Sequence, residues 1–383
     1  MAFMIFEPPA LTSSEEAVLE RIRRLWSELH SNLATQSKRW TGLLARNLRA
    51  GAIQGSNSIE GILVSKEDAL AAVDGEEPAE AEPDVWKAVT GYRTAMNYVL
   101  RLGSSSEFSY DPNLLRSLHY MMVQSDQRAN PGAWRPGSVF VKNDATGEIV
   151  YTAPDRDLVP KLIDSLCTHL NAEDTKAPTR MVRAALAHLN LVMIHPFSDG
   201  NGRMSRCLQT LVLARGGVLD PTFCSIEEYL GRNAAQYYAA LEEVGQGSWN
   251  PRRNTLNWVR FCFSAHYIQA KSAKRRLEYT ALVGEAVEKI LRERGLPDRA
   301  AVSLTNAVLG FKVHNEAYRR EADVSVVVAS RDLRALADAQ LLRPHGEKRG
   351  RYYEAADVLV ELRRLKQDAR IPDPFTHPES EEA

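Results

Sequence analysis

The chain has 383 residues, of which 25% are charged and 44% hydrophobic, and a formal net charge of −1. That balance is an ordinary globular one and excludes disorder as a whole-chain state. Near-neutrality also excludes a chain-wide polycation that binds nucleic acid without specificity, and at roughly 100–200 residues per domain the length predicts two or three domains.

Met1 to Pro9 place no basic segment ahead of an apolar core, so no secretory signal is expected. Residues 14–49 are predicted helical, with Val18, Ile22, Leu25, Trp26 and Leu29 on one face and Ser13 or Ser14 as cap. A second helical stretch covers Thr41–Ile59 and stops at Gly61. Asp74–Asp84 is acidic and contains proline, the pattern of an exposed linker. Helices are predicted at Val85–Leu102 and Leu114–Val123. Ser138–Val141 and Glu148–Tyr151 flank a turn-rich segment, a β-hairpin signal. Further helices are predicted at Leu158–Asn171, Thr179–Ile194, Arg203–Arg215, Ser225–Val244 and Leu256–Arg276. Beyond them lie helical segments at Val283–Arg294, Leu304–Leu309 and Ser325–Ala339. Leu341–Arg343 and Arg351–Tyr353 then bracket a polar turn, which suggests a winged helix. The tail from Pro372 is acidic, and mobility is expected of it.

Cys167, Cys207, Cys224 and Cys262 form no CxxC pair, so reduced, buried thiols and a cytoplasmic location are expected. The apolar run Leu186–Ile194 is broken by His188 and Asn190 and is too short for a membrane span.

Chemistry concentrates in Leu189–Arg206, LNLVMIHPFSDGNGRMSR. Pro196 disfavours helical geometry at His195, so a helix ends there. A glycine-rich turn follows, then a second helix. Glycines let backbone N–H groups converge on an anion, and a helix start adds its own donors. Arg203 and Arg206, three apart, share a face and can grip separate phosphates. Asp199 offers a hard oxygen for a divalent ion, and His195 has the intrinsic pKa of a general base. Together these residues describe phosphoryl-type transfer to a hydroxyl.

His195–Arg206 resembles the Fic family motif HPFx(D/E)GNGRxxR at every specified position. The likeness extends over roughly residues 10–265. It implies an all-α Fic/Doc helical core with a small β-hairpin flap, and transfer of AMP from ATP to a Ser, Thr or Tyr hydroxyl of a protein. On this resemblance His195 is the base, Asp199 holds Mg2+ or Mn2+, and Gly200, Asn201 and Gly202 form the anion nest. Arg203 contacts the phosphates and Arg206 the γ-phosphate, while Phe197 anchors the loop in the core. Tyr237 and Tyr238 either approach the nucleoside or pack in the core. Val139, Phe140 and Val141 form the flap strand that pairs with an extended target segment.

Ser56-Asn57-Ser58-Ile59-Glu60-Gly61 fits the inhibitory pattern (S/T)xxxE(G/N) found N-terminal to the core in related proteins. Ser56 and Glu60 share a helix face. The resemblance implies that Glu60 pairs with Arg206, as a bidentate carboxylate–guanidinium contact at the γ-phosphate position. Removal of AMP, with Glu60 orienting a water, is the further activity that the family allows. An acidic N-terminal segment against a net basic core suits an internal competitor for ATP.

The implied division is an N-terminal helical inhibitory region (1–85), a Fic core (86–270), a linker helix with a winged-helix-like domain (271–372) and a tail (373–383). Two rival functions stand beside AMP transfer: a Fic enzyme moving another nucleotide, and a DNA-binding regulator with a Fic core. In the second, Arg331 and Arg334 lie on the recognition helix, and Arg343, Lys348, Arg349 and Arg351 on the wing. The expected partners are a protein substrate with an exposed hydroxyl, with a homodimer and DNA contact left open and no membrane.

Overall fold

A computed structural model describes residues 5–78, 81–105, 107–142, 146–172, 177–215, 221–347, 351–366 and 369–376. The centre of the hairpin turn (143–145), Lys348 and Arg349 of the wing, and the last residues of the tail lie outside the described residues. Contacts divide the chain into two compact units. Unit one comprises residues 1–30, 48–271 and 372–383, and unit two residues 31–47 and 272–371.

The chain opens with α1 (Ser13–Thr35) and α2 (Lys38–Ile59). The cap of α1 is Thr12 rather than Ser13 or Ser14. Glu15 reaches back to accept from the Thr12 amide at 2.7 Å and the Thr12 hydroxyl at 2.6 Å, a variant of the capping box. The predicted helix 14–49 breaks at Gln36–Ser37. There the Ser37 hydroxyl accepts from the Arg39 amide at 3.3 Å and its carbonyl restarts the helical ladder at Trp40 and Thr41. Gly61 ends the α2 turn with φ of 75°, and the Ile62 amide closes back on the Asn57 carbonyl at 3.0 Å.

α3 (Lys66–Asp74) occupies a stretch that periodicity did not single out. Ser65 caps it by accepting from the Asp68 amide. Then come α4 (Pro83–Gly103), α5 (Pro112–Val123), β1 (Phe140–Lys142) and β2 (Ile149–Thr152). These are followed by α6 (Val159–Asn171), α7 (Ala177–Ile194) and α8 (Asn201–Ala214). α9 (Pro221–Cys224), α10 (Glu227–Arg232), α11 (Ala234–Gly245), β3 (Gly247–Ser248) and α12 (Leu256–Glu293) complete the series up to residue 293. The predicted helix Ser225–Val244 is broken at Asn233. Conversely, Leu256–Arg276 and Val283–Arg294 merge into α12, because Leu277, Tyr279 and Val283 keep the buried stripe continuous.

In unit one an all-α bundle surrounds α7 and α8, whose buried faces include Leu186, Leu189, Ile194, Met204, Leu208 and Leu211. β1 and β2 pair antiparallel, and β3 joins β2 in parallel, so β1 is an edge strand. Cys167, Cys207, Cys224 and Cys262 are buried, and none of them is in a disulfide. Among the described residues no helix is long and apolar enough to cross a membrane.

Unit two has its own core, including Trp40, Val283, Leu304, Tyr318, Leu333 and Leu336. Its later elements are α13 (Ala301–Val308), β4 (Val313–His314), α14 (Asn315–Ala322), α15 (Val326–Asp338), β5 (Leu342–His345), β6 (Tyr352–Ala355) and α16 (Asp357–Val360). The sheet order is β4-β6-β5, all antiparallel. Helix, strand, two helices and a two-stranded wing is the order of a winged helix. Its internal tie is Asp332, which takes two bonds from Arg299 (2.6 and 3.0 Å) and one from the Tyr318 hydroxyl (2.8 Å).

Candidate active site

The site is built where α7 stops and α8 starts. His195 follows the last turn of α7 with φ of 52°, a left-handed backbone uncommon for a residue with a Cβ. Its Nδ1 lies 3.0 Å from the Val192 carbonyl. A carbonyl only accepts, so Nδ1 carries the proton and Nε2 keeps its lone pair. Burial holds the imidazole below its ordinary pKa, as does the Arg135 charge, against the Val192 bond. His195 is therefore neutral near pH 7 and able to accept a proton at Nε2.

The loop from Pro196 to Gly200 is held by Asn201. Its side chain accepts from the Phe197 amide and donates to the Phe197 carbonyl, each at 2.9 Å. The Asn201 side chain is thus spent on loop shape, and only its backbone is left to serve the nest. Gly200 takes φ of 76° at the N-cap of α8, which suits glycine. Phe197 is fully buried, stacked on His119 at 3.8 Å between ring centroids.

Two residues here escaped sequence reasoning. His119 accepts from the Gly132 amide at Nδ1 and donates from Nε2 to the Asp199 carbonyl, both at 3.0 Å. Burial pushes its pKa down to about 4. It sits on the buried stripe of α5 with Leu115, Leu118 and Met122, the one available signal. Arg135 is buried and donates from Nε to the His195 carbonyl at 2.8 Å. An arginine in a Trp-Arg-Pro-Gly run carries no mark of that role.

α8 supplies the cations. Arg203 is buried, with Nη2 3.3 Å from Asp199 Oδ2. Among the described residues, Arg203 Nε and Arg206 Nη1 are buried N–H donors without a partner. Buried donors are rarely left unmade, so two on one helix turn point to an anion ligand. Asp199 and Ser198 are the exposed residues of the loop, the Asp199 side chain being 59% accessible. A single carboxylate beside a phosphate nest fits Mg2+, which takes one or two carboxylates and draws further ligands from phosphates and water.

Ser56 of α2 and Glu60, just past its end, close on the same arginine. Arg206 Nε donates to Ser56 Oγ at 2.8 Å. Nη2 donates to the Ser56 carbonyl at 2.9 Å and to Glu60 Oε1 at 2.7 Å. The expected bidentate carboxylate fork is not what forms: Ser56 takes Nε, which leaves Glu60 a single-oxygen pair. Burial opposes the Arg206 charge, but Glu60, together with Tyr237 and Tyr92, holds the guanidinium above its ordinary pKa. Glu60 Oε1 also lies in the space that a Cβ at Gly202 would fill, at the first turn of α8.

Tyr237 lies in the core, its hydroxyl bonded to His188 Nε2 at 2.9 Å. Tyr238 is half-exposed, and its hydroxyl donates to the Ile59 carbonyl at 2.9 Å. On the flap, Phe140 is exposed and Val139 accepts from the Ala153 amide at 3.2 Å.

Residues 109–213 match the Fic/DOC family. The chain carries a Fic domain. It is 32% identical over 145 residues to protein adenylyltransferase fic-1 of Caenorhabditis briggsae, covering 38% of this chain and 26% of the relative. With the fic-1 of Caenorhabditis elegans it shares 35% over 156 residues, 41% of this chain and 28% of the relative. The chain thus spans about a quarter of the length of these curated relatives. Among solved structures, a Fic family protein from Desulfovibrio desulfuricans G20 covers 92% of this chain and is itself covered to 99%, with a TM-score of 0.58 and 20% identity. The Caenorhabditis elegans Fic-1 structure has a TM-score of 0.51 at 22% identity and covers 69% of this chain, with 73% of its own length covered. Both structural likenesses speak to the fold, and the Fic domain contains every loop residue described above.

Proposed function

We propose that this chain transfers AMP from ATP to a Ser, Thr or Tyr hydroxyl of a protein and that Glu60 restrains the reaction. The observation that carries the reading is the pair of unpartnered, buried donors, Arg203 Nε and Arg206 Nη1, on the helix that follows a neutral His195. The names of the curated relatives point the same way.

In this mechanism the polyphosphate lies on the backbone of Gly200, Asn201 and Gly202 and on Arg203, with the γ-phosphate at Arg206. His195 Nε2 takes the proton of the target hydroxyl. The hydroxyl oxygen bonds to the α-phosphorus, the bond from that phosphorus to the bridging oxygen breaks, and pyrophosphate leaves. Asp199 would hold a Mg2+ or Mn2+ ion, which neutralises phosphate charge when bound. β1 is an edge strand, and on its side away from β2, along Val139, Phe140 and Val141, an extended target would pair. While Glu60 holds Arg206, the γ-phosphate lacks its anchor, so ATP is misaligned. Freed from Arg206, the same carboxylate would orient a water for the reverse removal of AMP.

The test uses the Glu60→Gly protein and a cell lysate with ATP labelled at the α- or the γ-phosphate. Retention of α-label alone on protein supports AMP transfer. Retention of γ-label indicates phosphate transfer, and no retention of either refutes the reading.

A second reading concerns unit two. Its α15 presents Arg331 and Arg334 to solvent, which supports duplex DNA binding by that unit. Steeply salt-dependent binding that is lost with Arg331→Ala and Arg334→Ala is expected on this reading. Salt-independent or unchanged binding would sink it.

A further inference from the structure

We infer that Arg135 is a positioning residue that holds both feet of the flap and the backbone of His195 in one register. This rests on the proposed AMP transfer and adds to it the device that aligns the target hydroxyl with the base.

Arg135 is 4% exposed, and its guanidinium bonds go to three carbonyl oxygens from three segments. Nε reaches His195 at 2.8 Å, Nη1 reaches Gly137 at 2.6 Å and Nη2 reaches Pro154 at 2.5 Å. Gly137 precedes β1 and Pro154 follows β2, so these are the entry and exit of the hairpin. The Arg135 amide adds a fourth bond, to the Pro196 carbonyl at 2.9 Å. A buried cation is costly to desolvate, and carbonyls without a bonded carboxylate compensate it only in part. What the arrangement supplies is geometry. A planar fork with fixed donors sets three acceptors at fixed mutual positions, which a point charge on a flexible stem does not.

The position of those acceptors gives the clamp its consequence. His195 has a left-handed backbone, and its carbonyl is the one Arg135 Nε holds. The ring is held separately, at Nδ1, by Val192. The hairpin that would dock the target is fastened to the same guanidinium, with a second tether from the Tyr151 hydroxyl to the Met193 carbonyl at 2.8 Å. A target strand added to β1 is therefore registered against His195 through Arg135. The phosphate cradle stands on α8 and shares none of these bonds, so nucleotide binding and hydroxyl alignment are separable.

The experiment places Arg135→Gln and Arg135→Lys in the Glu60→Gly protein and measures kcat for AMP transfer beside the Kd for ATP. The expected result is a loss of about 100-fold in kcat with Arg135→Gln, the scale of a 1 Å misplacement, with ATP affinity within about twofold. Arg135→Lys keeps the charge, yet it should remain at least about tenfold down, since three donors on one nitrogen do not reach acceptors spaced for a planar fork. A kcat within about threefold of the parent in either variant, or ATP affinity falling in step with kcat, overturns the inference. An inactive Glu60→Gly parent would instead count against the proposed function. The clamp is then judged by hydrogen exchange at the Ala153 amide, which should quicken in Arg135→Gln and whose constancy would overturn it.

Discussion

Glu60 Oε1 accepts a hydrogen bond from Arg206 Nη2 at 2.7 Å and at the same time lies against Gly202. One carboxylate oxygen thus touches the arginine proposed to hold the γ-phosphate and the last residue of the proposed anion nest. Ser56, four residues earlier on α2, takes Nε and shares Nη2 of that arginine. The proposed brake is a helix end seated in a phosphate site, and each contact that seats it can be loosened separately.

Ser56→Ala removes the acceptor of Arg206 Nε and leaves a buried N–H unmade. The expected cost is about 1–3 kcal/mol of stability, with basal AMP transfer lying between wild type and Glu60→Gly. Thermal unfolding and labelled-ATP incorporation check both. A basal rate equal to wild type would remove Ser56 from the brake.

Tyr238→Phe deletes the hydroxyl bonded to the Ile59 carbonyl at the end of α2. A neutral hydrogen bond is worth about 1 kcal/mol, so basal transfer should rise about fivefold while Kd for ATP changes little. If ATP affinity falls and the basal rate does not rise, Tyr238 serves the nucleotide and not the latch.

Gly231→Ala alters none of the residues assigned to the reaction or the brake. A Cβ at Gly231 would meet Gly55 Cα at 2.5 Å, where α10 crosses α2. The added methyl should push the inhibitory helix outward, costing about 1–3 kcal/mol and raising basal transfer with Glu60 and Arg206 intact. Loss of stability with an unaltered basal rate would show that α2 tolerates the shift.

The histidines set the pH response. Burial holds His195 below its ordinary value and pushes His119 down to about 4 and His188 to about 3. The unfolded chain protonates these residues near pH 6.5, whereas the folded one resists. Stability is therefore fully present above that pH and declines as pH falls toward the folded values. Tm should be lower at pH 5 than at pH 7, and the acid limb of kcat/KM for Glu60→Gly should fall below pH 6.5. An acid limb above pH 6.5 would argue against His195 as the base.

The loop chemistry was legible because His195, Asp199, Gly200, Gly202, Arg203 and Arg206 are neighbours in the chain, and helix stop, glycine turn and helix start are local events. Gly61 was legible as a helix end for the same reason. Arg135 and His119 were not. Their partners His195 and Asp199 lie 60 and 80 residues away, and neither residue type announces a bond to a distant carbonyl. The breaks at Ser37 and Asn233 hid inside apolar periodicities that continue through them. The continuity of α12 hid behind the polar run Lys274-Arg275-Arg276. α3 was overlooked although Ser65 and Asp68 carry a capping signature. β3 is two residues long and becomes a strand only by pairing with β2.

The most direct measurement compares incorporation of α-labelled AMP by the wild type, Glu60→Gly and the double variant Glu60→Gly, His195→Ala, with ATP affinity measured for all three. Glu60→Gly should incorporate at least about tenfold faster than wild type, as expected when an internal competitor leaves the site. The double variant should bind ATP comparably and incorporate almost nothing. Equal incorporation by wild type and Glu60→Gly, or undiminished incorporation without His195, would contradict this mechanism.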